Sequence, residues 1–306
     1  GYGAIDGSYA TGNVVTSGDV SGGLVGGYGD QSTVTNSYAT GTVQGIAKVG
    51  GLIGDNSATI EASYASGQIT ASGSYAGGLV GLNQASGAIN ASHVDGSATV
   101  TSTADYAGGL AGQNLGTVSG VQVASTVVVN GVNFVGGVVG ANGSFTAATA
   151  SLTDSLSAAA VNATGNQVGG VAGVNLASIS NTTASGLVTA GANVFAVGGL
   201  VGANTGSISN SAANTSSVVA GAGAAPVGAN IGLQGGTYTG PSSSGTAQVG
   251  GQATTSQDGY GYTDGVINSF SELNYISYFP GKDFTLGADI DGTGVTFTPI
   301  AFYGSL

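Results

Sequence analysis

The amino-acid sequence predicts an all-β protein that coils into a single-stranded parallel β-helix, or β-solenoid. A five-residue phrase, Gly-Gly-Leu-Val-Gly in its commonest form, occurs seven times between residues 22 and 202, and its copies begin 27 to 33 residues apart. Self-similarity at such a period is typical of stacked repeats that share one continuous core. No stretch carries the sustained i, i+3, i+4, i+7 apolar face of a helix. Each repeat is therefore expected to form one rung of the coil.

Three further positions recur in register with the glycine phrase. A Ser-Tyr-Ala-Thr-Gly phrase precedes it, an asparagine follows two residues after it, and an aliphatic residue comes shortly afterwards. Turn-rich segments separate three short β-type stretches, which predicts three strands per rung. Because equivalent residues of successive rungs lie above one another, recurring side chains should form ladders. The predicted ladder residues are Asn56, Asn83, Asn114, Asn142, Asn175 and Asn204 in one column and Tyr9, Tyr38, Tyr64 and His93 in another.

The strength of the repeat divides the chain into two parts. Residues 1–255 are expected to form the solenoid, with a strict phrase to about residue 205 and a degenerate one after it. Residues 256–306 are atypical because aromatic residues concentrate there, which predicts a cap or the start of a further repeat block. A short helix at 269–274 and strands at 283–290 and 295–300 are expected in this segment. The sequence contains no methionine, so we expect it to be a piece of a longer protein.

Composition argues against several classes of partner. The chain holds 14 acidic residues against two lysines and no arginine, and its formal net charge is −12. Nucleic acids and anionic membrane surfaces are bound through lysine and arginine, so neither is an expected partner. No apolar run of about 18 residues is present, so no membrane insertion of this segment is expected. Cysteine is absent, which excludes disulfides and thiolate metal sites.

Few residues could carry chemistry, and neither catalysis nor a cofactor is expected. His93 is the only histidine, and its place in the tyrosine column favours a structural role over a catalytic or metal-binding one. Asp289 and Asp291 are calcium candidates because carboxylates and turn carbonyls suit that ion, although the remainder of a calcium-binding loop is missing and a solvated turn is the alternative. Exposed tyrosines favour interfaces and sugar stacking, whereas buried ones would form the core of an end cap. The predicted contact surface consists of Tyr260, Tyr262, Tyr275 and Tyr278.

These phrases resemble the GLUG-motif repeats of large bacterial surface and secreted proteins. The resemblance covers residues 1–235 and rests on the glycine phrases, the asparagine after them and the Ser-Tyr-Ala-Thr-Gly phrase. Residues 283–292 and 297–300 look like the segment that introduces such repeats in filamentous-haemagglutinin-like adhesins, although here they close the chain. The resemblance implies a right-handed parallel β-helix at the cell surface or outside the cell, acting in adhesion or in an extracellular matrix.

The function expected from the sequence is therefore structural or adhesive and non-enzymatic. As the stalk of an adhesin, the rod would contact other surface proteins or glycans. As a self-assembling subunit, it would join end to end into a filament or sheath, because open rungs can pair as edge strands do. The alternative from another class is a carbohydrate-binding or carbohydrate-active β-helix, which a carboxylate pair in a cleft would support.

Overall fold

A computed structural model describes residues 3–144, 146, 149–214, 217–253, 260–261, 266–267 and 285–287. The chain divides into two compact units, Gly1–Tyr260 and Gly261–Leu306. In the first unit, the described residues form a parallel β-solenoid of eight complete coils, which confirms the predicted fold class. With coils about 4.8 Å apart, eight of them rise roughly 40 Å. Within the described residues, no helix is long and apolar enough to cross a membrane.

Each complete coil contributes one strand to each of five sheets, named A to E in the order in which the chain meets them. Sheet A contains Ala4–Asp6, Thr33–Thr35, Thr59–Glu61, Ala88–Asn90, Thr117–Ser119, Ser151–Thr153, Ser178–Ser180, Ser207–Ser209 and Thr237–Thr239. Sheet B contains Tyr9–Ala10, Tyr38–Ala39, Tyr64–Ala65, His93–Val94, Gln122–Val123, Leu156–Ser157, Thr183–Ala184 and Ala212–Ala213. Sheet C contains Val14–Val15, Val43–Gly45, Ile69–Ala71, Thr99–Ser102, Val128–Gly131, Ala160–Ala163, Val188–Ala190, Ser217–Ala220, Thr246–Val249 and an antiparallel last strand, Gln252–Ala253.

The remaining two sheets meet at the glycine phrase. Sheet D contains Ser21–Gly22, Val49–Gly50, Ala76–Gly77, Asp105–Gly108, Asn133–Gly136, Val168–Gly169, Val197–Gly198 and Val227–Gly228. Sheet E contains Val25–Tyr28, Ile53–Asn56, Val80–Asn83, Ala111–Asn114, Val139–Asn142, Ala172–Asn175, Val201–Asn204 and Ile231–Gln234. The ninth strand of sheet E is Tyr260–Gly261, next to Ile231–Gln234. The other described strands are Val266–Ile267 and Thr285–Leu286. The last two pair in parallel within the second unit, whereas the helix expected at 269–274 and the strand expected at 295–300 lie outside the described residues.

The prediction of three strands per repeat is wrong, because the chain turns more often than the turn-rich segments indicate. The glycine phrase splits into a strand of sheet D and a strand of sheet E, and the tyrosine position is itself a two-residue strand. Between sheets A and B, residues such as Asn36 and Ala62 adopt positive φ angles of 50° and 48°. This left-handed conformation bends the chain sharply without a glycine.

The core is a set of apolar columns that run along the solenoid axis. One column is formed by the central residue of each sheet A strand, another by the third residue of each glycine phrase. Their fully buried members include Ile60, Ile89, Leu152, Ile179 and Ile208, and Leu52, Leu79, Leu110 and Leu200. Full burial of one such side chain stabilises the fold by about 1.5–3 kcal/mol.

The paired glycines are required because two walls of the coil nearly touch. A side chain at Gly51 would collide with the carbonyl oxygen of Gly78 in the next coil, and its Cβ would lie 2.7 Å from the Cβ of Ala65. Ala65 belongs to the Ser-Tyr-Ala-Thr-Gly phrase of sheet B, so the two recurring phrases face each other across the core. Only a residue without Cβ fits at this approach.

The coil continues in the same register after the strict phrase ends near residue 205. Val201 pairs with Ile231, Gly198 pairs with Gly228, and sheet C extends to Val249. The degenerate sequence of this region therefore still forms regular coils.

A buried asparagine explains how the eighth coil tolerates its altered phrase. Asn230 occupies the leucine column and is fully buried. Its side-chain oxygen accepts a hydrogen bond from the Ala213 amide at 2.7 Å, and its Nδ2 donates to the Tyr238 hydroxyl at 2.9 Å and to the Pro241 carbonyl at 3.2 Å. Because its polar atoms are satisfied, the amide can replace a leucine at this end of the core.

Candidate functional site

Four aromatic side chains stack along the outer face of sheet B. The ring centroids of Tyr9, Tyr38, Tyr64 and His93 are successively 5.2, 4.8 and 5.0 Å apart, and neighbouring rings are within 11° of parallel. The pairing register places each ring directly opposite the next, from Tyr9 with Tyr38 to Tyr64 with His93. The spacing between coils thus brings the rings to stacking distance. We name these four residues the aromatic row.

The serine of the same phrase fixes the direction in which each ring points. The buried Ser63 hydroxyl accepts a hydrogen bond from the Ser37 amide at 3.1 Å and donates to the Glu61 carbonyl at 2.9 Å. These bonds hold the corner between sheets A and B, so Tyr64 projects outwards while Ala65 is buried. Sequence reasoning missed this role, although the signal was the serine before nearly every member of the column.

Exposure varies along the aromatic row. Tyr9 is 64% exposed and the side chain of His93 is 44% exposed, whereas Tyr38 and Tyr64 are partly buried. Burial raises the pKa of the Tyr64 hydroxyl, with further contributions from Tyr38 and Asp95. At neutral pH this hydroxyl is therefore protonated and can donate a hydrogen bond.

A groove opens where the row ends at His93. The next two members of the column are not aromatic: Gln122 pairs with His93, and Leu156 pairs with Gln122. The groove has a volume of about 410 Å³, and the small residues Gly120 and Ala124 are among those that line it. Coil five, counted from the N-terminus, begins with the sheet A strand Thr117–Ser119. Because it carries these short side chains, the imidazole and the 40% exposed Leu156 form the groove's two walls.

The polar groups of the groove are few and well defined. Asp95 Oδ2 lies 3.6 Å from His93 Nε2, and the Asp95 side chain is 47% exposed. Gln122 is also exposed and adds an amide. Asp95 is the one carboxylate among the lining residues, whereas hydrolysis of a glycosidic bond normally employs two. No group of three or more His, Asp and Glu residues that could hold a metal ion occurs within the described residues. The groove therefore offers a ring face, an apolar wall and a few hydrogen-bonding groups to a small molecule.

The predicted asparagines end six successive strands of sheet E, and their side chains form a continuous buried ladder. All six are fully buried, and Nδ2 of each donates to Oδ1 of the next at 2.7–2.9 Å. Asn204 donates onwards to Oε1 of Gln234 at 3.0 Å. Sequence reasoning missed Gln234 because the glycine phrase before it is degenerate. The signal was a side-chain amide at the same offset after the phrase as the asparagines. An amide serves such a ladder well because it both donates and accepts along the axis.

Comparison with protein families identifies the repeat. Residues 18–44 match the family model described as the GLUG motif. The chain carries a GLUG motif. The matched stretch covers the glycine phrase of the first coil and the Ser-Tyr-Ala-Thr-Gly phrase of the second, so one GLUG motif corresponds to about one coil. The later coils pair in register with this stretch, which is consistent with a GLUG repeat region, and the match confirms the GLUG part of the resemblance. The searches of curated proteins and of solved structures gave no match.

The solenoid also carries a second aromatic row that sequence reasoning missed. The ring centroids of Tyr75 and Tyr106 are 4.9 Å apart, and those of Tyr106 and Phe134 are 4.7 Å apart. All three residues have positive φ angles. Tyr75 directly precedes a strand of sheet D, and Tyr106 and Phe134 are each the second residue of one. Burial raises the pKa of the Tyr106 hydroxyl, and the neighbouring Tyr75 and Asp105 contribute less to the same shift. The signal was a constant offset, since each ring precedes a glycine phrase by two residues.

The sites predicted in the C-terminal segment lie outside the described residues, apart from Tyr260. The calcium candidates Asp289 and Asp291 lie outside the described residues, as do Tyr262, Tyr275 and Tyr278. Tyr260 lies in the strand Tyr260–Gly261. These predictions remain predictions.

Proposed function

We propose that this GLUG solenoid is a non-enzymatic extracellular module that holds an adhesive face at a bacterial surface. The observation that carries the proposal is the aromatic row, which is partly exposed on the outside of the coil, whereas the recurring asparagines are buried and bonded to one another. Aromatic side chains with polar tips favour interfaces because they bury a large area at a small cost in conformational entropy. A row of such side chains on the outer face of the coil therefore suits contact with another molecule.

Rigidity supports the same proposal. The asparagine ladder crosses six consecutive coils without a break, and Gln234 extends it to a seventh; each interior coil is bonded to both neighbours through five sheets. Such an array transmits load along its axis because each repeat is held by its neighbours. A rigid spacer is what a surface adhesin needs between its anchor and its target.

The charge distribution suits an environment that contains proteases. The chain offers trypsin-like enzymes two lysines and no arginine. One of them, Lys48, is bound by Asp55 at 2.7 Å, and the other oxygen of Asp55 accepts a hydrogen bond from Gln84 at 2.7 Å. Cleavage at Lys48 would require a folded coil to open, which the surrounding ladders oppose.

Adhesion of coated beads tests the proposal directly. Beads carrying the protein should be retained under flow on a bacterial or epithelial cell layer, and the double variant Tyr9→Ser/Tyr38→Ser should lose most of that retention. The matched control is Val15→Ser, which removes an apolar side chain that is 74% exposed on sheet C. Equal retention of all three proteins would remove the basis for an adhesive aromatic face. Filaments of the native protein in electron micrographs would instead favour end-to-end assembly.

A further inference from the structure

We infer that the groove beyond His93 binds one neutral pyranose sugar, which stacks on the imidazole as the next member of the aromatic row. This inference rests on the proposed adhesive function and names the class of molecule that the face would recognise. The groove lies in the same column as the four rings, one coil further along the axis.

The geometry of the column provides the stacking surface. Tyr64 covers one face of the His93 imidazole at a centroid distance of 5.0 Å. The opposite face is directed towards coil five, where the column continues with the side chain of Gln122 and not with a ring. The C–H groups of a sugar ring carry partial positive charge, and the face of an aromatic ring is negative, so the two attract when they stack. Leu156 closes the far side of the groove with an apolar wall.

The polar groups of the groove match sugar hydroxyls. Asp95 can accept hydrogen bonds from hydroxyl groups, and the exposed amide of Gln122 can both donate and accept. The volume of about 410 Å³ falls within the range of roughly 300–1,000 Å³ that is usual for small-ligand sites. An aromatic side chain of a partner peptide would stack equally well, but it would leave Asp95 and Gln122 desolvated without partners.

The charge of the groove restricts the sugar to a neutral one. Asp95 supplies a negative charge beside the imidazole, and no lysine or arginine is among the lining residues. Lys48, the one lysine among the described residues, is held by Asp55. With a net charge of −12, a carboxylate in the groove and no lysine or arginine among its lining residues, the site should repel sialylated, sulfated or uronic-acid glycans.

His93 is the only histidine in the chain, so its imidazole proton signals in an NMR spectrum need no assignment. The protein is titrated separately with glucose, galactose, mannose and N-acetylglucosamine. We expect at least one of these sugars to shift the His93 proton signals, with saturation in the millimolar range. N-acetylneuraminic acid at the same concentrations should leave them unchanged. Gln122→Ala and Leu156→Ser should each weaken the binding at least fivefold. Leu187→Ser is the matched control, since this leucine is 45% exposed but lies outside the groove, and it should bind as the unaltered protein does.

The outcomes separate this inference from the proposed function. If no neutral sugar shifts the His93 signals while coated beads still adhere, the groove does not bind sugar and the adhesive proposal survives. If a sugar binds but the beads do not adhere, the site is real and the adhesive proposal fails. A shift caused by tyrosine methyl ester and by none of the sugars would overturn the inference in favour of a peptide partner, and tight binding of the sialic acid would overturn the charge argument.

Discussion

Replacing Asn114 with alanine removes one rung from the middle of the buried amide ladder. Its Nδ2 donates to Asn142 Oδ1 at 2.9 Å and to the Ser151 carbonyl at 3.1 Å, and its Oδ1 accepts from Asn83 Nδ2 at 2.8 Å and from the Gly116 amide at 3.2 Å. A typical intramolecular hydrogen bond contributes about 1 kcal/mol net, so the four bonds together contribute about 4 kcal/mol. Partners left unsatisfied in the buried interior would add to this loss.

The matched control is Asn162→Ala, because Asn162 makes the same kind of bond where water can compete. Asn162 Nδ2 donates to Asn130 Oδ1 at 3.1 Å on the partly buried outer face of sheet C. We expect its loss to cost less than about 1 kcal/mol. Urea unfolding followed by circular dichroism measures the difference in free energy, and hydrogen exchange shows whether coils three to five open first. Equal destabilisation by the two variants would refute the claim that the buried ladder stabilises the rod.

Asn114→Asp tests the direction of the ladder bonds. The aspartate keeps the shape, but its ionised form would face the oxygens of Asn142 and Ser151 in a buried site. Burial and these acceptors favour the protonated carboxyl, so its pKa in the folded state should lie above the unfolded value of about 3.9. A group with a raised folded pKa loses stability as the pH rises above its unfolded pKa. The stability gap to the unaltered protein should therefore widen from about pH 4 upwards, whereas Asn114→Ala should show no such trend.

Three further outcomes are expected. Gly109→Ala should cost about 3 kcal/mol or more in urea unfolding, since the added methyl would collide with a carbonyl of the next coil; Gly12→Ala, into open space, should stay within about 0.5 kcal/mol. Asn230→Leu restores the leucine column yet should lower the unfolding free energy by about 1–3 kcal/mol, because the buried Ala213 amide loses its acceptor, and a higher melting temperature would contradict this. Tyr106→Phe should remove a late phenolate step from an alkaline absorbance titration, because burial raises the pKa of this hydroxyl; its contribution to stability is complete below about pH 10 and is lost as the pH rises through the folded value.

The coil could be predicted from the sequence because stacking makes a local repeat into a long-range constraint. A glycine that must face the backbone of the next coil, such as Gly51, has to recur once per coil, and its spacing therefore reports the length of the coil. The number of strands per coil could not be predicted in the same way. The corners depend on positive φ angles at residues as different as Asn36, Ala62 and Lys48, and no shared residue type marks them.

The aromatic row could be predicted because tyrosine is conspicuous in a sequence of small residues, but the groove could not. The groove exists because coil five has small residues at Gly120 and Ala124. Its far wall, Leu156, pairs with Gln122 although it follows it by 34 residues. Without the pairing register, the variable turn between these two residues hides the fact that they are neighbours. A site made by small residues between distant walls leaves little trace in a single sequence.

The ends of the columns decide where this solenoid can contact other molecules. Inside a column, each residue is covered by its equivalents in the coils before and after, so a ring such as Tyr38 has both faces occupied. The leucine column ends at Asn230 and the amide ladder is extended by Gln234, and both residues are satisfied by hydrogen bonds within the chain. The aromatic row differs because its rings stop at His93 beside an open groove, where the next member of the column is the exposed side chain of Gln122 and not a ring. A repeat whose neighbours satisfy one another can acquire a binding site by interrupting a column, and coil five is where this chain does so.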